Sequence, residues 1–405
     1  MKENAQTSRI YYAAGPGDVV TTLRHWLKGE DDPRQFARTY SAQFFDVAAR
    51  RGAEALVVST AEVADAMSGR GITAVNRPLP RSGWLPRQIL SGCRLWADLF
   101  RFRPSAAVVA EGTTFWTLLL PLSWLGFRIV PTIHCVLYPA SRRRGWFRRC
   151  FDAVERLALK SLAPVCLTAS AEIEEQLAPG QRVCRFWPTY RGERFDALAP
   201  AMAQGPFQLL YVGRIEDDKG VFDLLDAMSA LHQTVDRGIR LDLCGTGSAM
   251  DRLISEIAAR RLDRVVSPMG HCSVEKLAEC LGRSHALVVP TTSRFVEGFN
   301  QVIVEGVLAG RPVIATSVCP SARLMGGAVT VIPPDEPESI IAAVRDLIES
   351  QARYAAAVAA TAGVGREYFS ESHSWAGRFE RCLNELSPGT PADGGMAVAK
   401  NHFSN

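Results

Sequence analysis

Residues 296–306 read VEGFNQVIVEG, an apolar run with a carboxylate near each end, Glu297 and Glu305. Upstream, ALVVPT (286–291) is an uninterrupted β-rich run; downstream, Gly310 and Pro312 stop the segment. The stretch therefore reads as a strand buried on both faces, a loop, and a helix that covers the strand. Glu297 falls in the loop just before the helix, and Glu305 lies on the helix, about 9 Å along it. The N–H groups of Phe299 and Asn300 would open that helix, where its dipole favours an anion such as a phosphate. Glu305 could then accept hydrogen bonds from a ribose diol, and Glu297 from hydroxyls of a second group carried by the phosphate. The alternative for Glu305 is a buried carboxylate paired with Arg or Lys.

The same rhythm extends outward from this stretch in both directions. RIYYAAG, EALVVST, SAAVVAEG, FRIVPTIH and PVCLTAS are strand candidates in the first half; FQLLYVGR, IRLDLCG, ALVVPT and RPVIATS are candidates in the second. Helical segments such as VFDLLDAMSALHQTV alternate with them. That alternation predicts an α/β chain with two doubly wound parallel-sheet domains. The Ala/Pro/Gly-rich 196–206 is the expected linker, between domains at 1–195 and 207–365. A last amphipathic helix is expected within 366–387, followed by a disordered tail, 388–405. In open α/β sheets ligands bind beyond the carboxyl ends of the strands, so those loops hold the candidate site.

In LLYVGRIEDDKGVFDLL, Arg214 and Lys219 follow a strand ending at Gly213, and two such cations can clamp a diphosphate. Pairing with Glu216, Asp217 and Asp218 is the alternative. LDLCGTGSAMDRL places Gly245 and Gly247 after another strand, where bare backbone lets a ligand approach; a tight turn explains them equally well.

VGRIEDDKG, CGTGSAMDRL and EGFNQVIVEGVLAGRPVIAT, in this order, resemble the C-terminal domain of glycosyltransferase family 4, over roughly residues 206–350. The resemblance implies a GT-B fold, with two Rossmann-like domains facing across a cleft. It also implies a retaining, metal-independent transferase that takes sugar from a nucleotide-sugar donor. Arg214 and Lys219 would hold the diphosphate with the Gly213, Gly298, Phe299 and Asn300 backbone. Glu297 would hold the sugar and Glu305 the ribose, with the base near Gly270 and His271, and Gly245 is a further donor-binding candidate. In the first half Gly15 and Gly17 of AAGPGDVV stand where the family has a glycine pair, and His134 of IVPTIHCV where it often has a histidine facing the donor. Thr189 replaces a common asparagine. No cofactor is implied beyond the nucleotide sugar, with UDP the default carrier. No second acid is evident as a nucleophile, and no D-x-D motif for a metal. Two rival readings remain: a GT-B nucleotide-sugar epimerase, and a non-catalytic sugar-nucleotide-binding partner of a transferase.

Residues 1–200 carry 27 Lys and Arg against 18 Asp and Glu, and 66–149 carry 13 against only Asp98 and Glu111. That imbalance points to an anionic partner. Arg142, Arg143, Arg144, Arg148 and Arg149 surround Trp146 and Phe147, and upstream Trp84, Leu85 and Trp96 mix with five arginines. Cations interleaved with aromatics suit an anionic membrane surface, and no nucleic-acid-binding motif is present. Together with the resemblance this predicts a glycan or lipid-linked acceptor and a cytoplasmic enzyme peripheral to the inner membrane face. FWTLLLPLSWLGF (115–127) is too short to span a bilayer and reads as a buried helix. The ten cysteines show no C-x-x-C spacing, as expected for reduced thiols without a zinc site.

Overall fold

A computed structural model describes residues 8–137, 145–196, 198, 205–295 and 297–386. Most of the expected linker, Arg142 to Arg144 of the basic cluster and the expected tail lie outside the described residues. In the first half β1 (Arg9–Ala13), β2 (Glu54–Ser59), β3 (Asp65–Gly69), β4 (Ile72–Asn76), β5 (Ala106–Ala110), β6 (Ile129–Ile133), β7 (Cys166–Thr168) and β8 (Val183–Arg185) form one sheet, ordered β3-β4-β2-β1-β5-β6-β7-β8. In the second, β9 (Phe207–Val212), β10 (Ile239–Cys244), β11 (Val266–Gly270), β12 (Ala286–Val289), β13 (Val313–Thr316) and β14 (Val329–Ile332) are ordered β11-β10-β9-β12-β13-β14. All pairings are parallel except the edge hairpin β3–β4. The four strands β5, β6, β12 and β13 are buried at every residue, as their continuous apolar runs require.

Helices α1 (Val19–Leu27), α2 (Tyr40–Arg50), α3 (Trp84–Phe102), α4 (Trp116–Trp124), α5 (Trp146–Leu162), α6 (Ala171–Glu174) and α7 (Glu193–Asp196) belong to the first half. The second has α8 (Val221–Thr234), α9 (Met250–Ala259), α10 (Val274–Arg283), α11 (Gln301–Leu308), α12 (Pro337–Glu349) and α13 (Gln351–Ala362). The last helix, α14 (Trp375–Leu386), returns to the first sheet and shares its core. There Trp375 lies 5.4 Å from the Tyr12 ring, Phe379 stacks on Phe44 at 5.8 Å, and Ala376 N–H donates to the buried Gln43 side chain. A third core joins the halves: Phe36, Tyr190 and Phe195 pack with Val289, Ile303 and Val304. On the first-half side of this junction Asp31 holds the 191–194 segment, 2.6 Å from Arg191 and 3.3 Å from Arg194.

The run 115–127 departs from its expected burial. Only Trp116, Leu119 and Leu122 of α4 are buried, while Trp124 and Leu125 at its end are 75% and 60% exposed. Among the described residues no helix is long and apolar enough to cross a membrane.

Each sheet reverses strand order once, between β1 and β5 and between β9 and β12. At such a switch point the loops leave in opposite directions and open a crevice. The loops carrying Gly15 and Glu111 flank the first crevice; those carrying Arg214–Lys219 and Thr291–Glu297 flank the second.

Candidate active site

The loop after β9 is fitted to the end of β12 by a missing side chain. A Cβ on Gly220, whose φ is +72°, would stand 1.8 Å from Pro290 O. That close approach brings Lys219 Nζ to 2.5 Å from Glu297 Oε1, with both side chains nearly buried. Thr291 Oγ1 (3.4 Å) and Asn300 Nδ2 (3.2 Å) donate to the same oxygen. These three hydrogen bonds all go to Oε1, and none from the described residues reaches Oε2. Phe295 forms the floor, its ring centroid 3.4 Å from Lys219 Nζ and 5.6 Å from Arg214 Cζ, within cation–π range of both. Arg214 is exposed and, among the described residues, has no carboxylate partner.

The three acids between these cations do not neutralise them. Glu216 accepts from Ser248 N–H and hydroxyl, Asp217 pairs with Arg252 at 2.7 Å, and Asp218 O accepts from Thr292. Gly245 and Gly247 let two loops pack closely, in keeping with the turn that is one of their two readings. Added Cβ atoms would stand 1.8 Å from Gly213 O and 2.1 Å from Ile215 O, so both glycines let the β9 and β10 loops touch backbone to backbone. Gly270 (φ +67°) has open space, as does Gly17, while a Cβ on Gly15 would touch only Ala110. His271 is exposed beyond β11. A cleft of ≈ 420 Å³ opens at the start of α10, between Pro33, Phe36 and Arg194 on one side and Val274 and Ala278 on the other.

Helix α11 starts at Gln301 with no side-chain cap on its free N–H groups. Phe299, just before it, meets Trp187 edge-on at 5.9 Å. Glu305 is buried on the helix near the Tyr190 hydroxyl, which donates to Gln301 O at 3.5 Å, and among the described residues no Arg or Lys pairs with the carboxylate. Burial pushes its pKa from 4.5 up to about 7, against a smaller lowering effect of the Tyr190 hydroxyl. The folded chain therefore holds a proton that the unfolded chain lacks between those values, and the associated stability is lost as pH rises through 7. A ribose diol donating to Glu305 would favour its ionised form and release that proton. Calorimetry of nucleoside diphosphate binding near pH 7, in buffers of different ionisation heat, should register proton release that Glu305→Gln abolishes. Equal release from both proteins would detach Glu305 from the ligand.

The opposite wall comes from the first sheet. A Cβ on Gly298 would stand 2.0 Å from His134 O and 2.8 Å from Cys135 Cα, so the Glu297 loop abuts the end of β6. His134 lies 4.4 Å from the Tyr40 ring, and its Nε2 is 3.1 Å from Thr132 Oγ1. Trp375 Nε1 donates to that same oxygen. Nδ1 is buried without a partner among the described residues. Burial lowers the His134 pKa, against the opposing field of Glu111, which favours the neutral ring.

Glu111 is the acid that the sequence did not reveal. It follows β5 directly, its N–H donates to Thr132 O, and its Oε2 is buried without a partner among the described residues. The ends of β1, β5 and β6 set Gly15, Glu111 and His134 side by side. Among the described residues no group of three or more His, Cys, Asp and Glu is arranged to hold a metal.

Residues 198–362 match the family model described as "Glycosyl transferases group 1". Glycogen synthase of Mycobacterium tuberculosis is 30% identical over 234 residues, 55% of this chain and 55% of that protein. The chain thus spans about half the length of the curated relatives that head this comparison. Sucrose-phosphate synthase from Thermosynechococcus elongatus superposes with a TM-score of 0.69 at 17% identity, over 94% of this chain and 99% of that one. HepE of Anabaena, in complex with UDP and glucose, superposes with a TM-score of 0.62 at 14% identity, over 94% and 100%. The fold is accordingly the GT-B fold, two Rossmann-like sheets across a cleft.

Proposed function

We propose that the chain is a retaining glycosyltransferase that moves a sugar from a nucleotide-sugar donor to a hydroxyl of a glycan or lipid-linked acceptor at the cytoplasmic face of an anionic membrane. One observation carries this reading. Lys219, Glu297 and Asn300 meet beside the uncapped start of α11, at the switch point of a domain that matches a glycosyltransferase family model. Arg214, Lys219 and the N–H groups before α11 would hold the diphosphate, Glu297 Oε2 the sugar, and Glu305 the ribose. UDP is the carrier favoured, in keeping with the UDP and glucose bound to HepE.

In the transfer the bond from the anomeric carbon to the diphosphate oxygen breaks, and its electron pair goes to the leaving diphosphate. Arg214, Lys219 and the helix terminus stabilise that charge where it grows. The acceptor hydroxyl bonds to the anomeric carbon on the face being vacated, and its proton passes to the departing phosphate oxygen. His134 would hold a sugar hydroxyl, and Glu111 would accept from a neighbouring hydroxyl of the acceptor, one that does not react. Charge on the diphosphate is met by protein cations, so no metal is required by this arrangement.

Thermal shift with UDP-, GDP- and ADP-sugars, with and without EDTA, tests the reading, because a ligand of the native state raises stability by mass action. A UDP-sugar should raise Tm equally in both buffers, and nucleoside diphosphate should be released only when acceptor is added. Isomerised donor without release would favour an epimerase, and binding without turnover a non-catalytic partner. A strict, reversible requirement for a divalent ion would overturn the charge assignment.

A further inference from the structure

Among the described residues eighteen large hydrophobic side chains are exposed, and twelve of them lie between Trp84 and Leu157. Scattered exposed apolar residues are ordinary, whereas a contiguous patch marks a binding surface. This patch is contiguous. Phe115 meets Trp84 edge-on at 5.1 Å and Phe151 at 5.2 Å, and Arg148 covers the Trp84 ring at 5.1 Å. On α5 the inner side buries Glu155, Ala158, Leu159 and Leu162. The apolar arc nevertheless continues onto solvent through Phe147, Phe151, Val154 and Leu157, at helical spacing. At the far end of α4, Trp124 and Leu125 project beside it.

The three helices present this patch as a fixed shape. Glu155 of α5 accepts from Trp116 N–H at 2.7 Å and Thr117 N–H at 3.0 Å, capping α4 from outside. Trp96 Nε1 of α3 donates to Leu118 O of α4 at 2.9 Å. Exposed Arg81, Arg87, Arg148 and Arg149 edge the patch at the helix starts. Acidic groups near the patch are few: Asp98 is buried against Arg77, Glu111 lies in the cleft, and on α5 Asp152 pairs with Arg148 at 3.5 Å.

We infer that α3, α4 and α5 form a docking face for an anionic lipid bilayer, with the Phe147–Leu157 stripe and the Trp124–Leu125 tip entering the interface and the arginines on the headgroups. This deepens the proposed function, on which its choice of a membrane-borne acceptor rests. A second copy of the chain is the poorer occupant, because two-fold docking would set arginine against arginine. The geometry also orients the enzyme. The three helices start at the carboxyl ends of β4, β5 and β6, the end of the sheet that holds Glu111 and His134, so the bilayer lies beside the acceptor side of the cleft.

Flotation of the full chain with vesicles of phosphatidylcholine, with and without phosphatidylglycerol, tests this. Binding should require the anionic lipid. It should weaken about tenfold or more both in Phe147→Ser/Val154→Ser/Leu157→Ser and in Arg148→Gln/Arg149→Gln. All replaced side chains are exposed, so circular dichroism and the Tm rise with UDP should stay as in the parent. Absence of binding to the anionic vesicles overturns the inference, as does binding unchanged by the serine triple. A dimer in lipid-free solution that the triple converts to monomer would also overturn it. Failure of the parent to bind UDP, with vesicle binding as expected, would sink the transferase reading and leave the docking face standing.

Discussion

Lys219→Met should lower turnover by about 10²–10³-fold, the usual cost of removing one group that stabilises transition-state charge. It should also destabilise the fold by about 3 kcal/mol, because it strands Glu297 as an unpaired, nearly buried carboxylate. These two effects have different origins and can be separated. Adding Glu297→Gln removes the stranded charge and leaves an amide that Thr291 and Asn300 still surround. The double variant should regain most of the lost stability and none of the turnover. Denaturant unfolding and donor kinetics on both proteins check this. If the double variant recovers turnover together with stability, Lys219 serves the fold and the diphosphate assignment is wrong.

The elements legible in the sequence were those whose burial leaves a mark on composition. β5 and β12 are apolar throughout, and β6 and β13 are apolar but for the buried Thr132 and Thr316, because helices cover both faces, and their runs are unmistakable. β3 and β11 were not legible. The first, DAMSG, is an edge strand with no fully buried residue; the second, VSPMG, contains a proline and buries only Val266. β8 and β14 are short, and each keeps only part of its length buried.

At the site, Arg214, Lys219, Glu297 and Glu305 could be picked out because charges beside apolar runs are conspicuous. Their pairing was not, since 78 residues separate Lys219 from Glu297 and only the switch-point topology joins them. Glu111 was seen as a charge and not as a site residue. Its signal was position, an acid immediately after a wholly apolar strand, and nothing in the sequence says that β5 borders β1. Phe295 and Tyr190 gave no signal, because an aromatic in a loop is usually packing. Gly245 and Gly247 have two readings for a related reason: sequence reports that a side chain is missing, not whether a ligand or a neighbouring loop fills the space.

The same consideration makes Gly298 a stringent test of the cleft. Its missing side chain faces backbone of the other domain, His134 O at 2.0 Å and Cys135 Cα at 2.8 Å from an added Cβ. Neither atom can rotate away, as the tip of a flexible side chain could. Gly298 does not lie in the left-handed region, so alanine adds no backbone strain at residue 298 itself. The relief available is a small separation of the two domains, of the order of 1 Å, which leaves each sheet and its core as they are. Displacement on that scale between reacting groups costs about 10²-fold in rate. Gly298→Ala should therefore reduce turnover about 10²-fold, and Gly298→Val more. Nucleoside diphosphate should bind within a few-fold of the parent, because its proposed contacts all lie on the second domain. Kinetics, calorimetry with the diphosphate and small-angle scattering of the ligand-bound protein decide it. Closed scattering profiles with undiminished turnover in Gly298→Ala would mean that the cleft closes on some other contact.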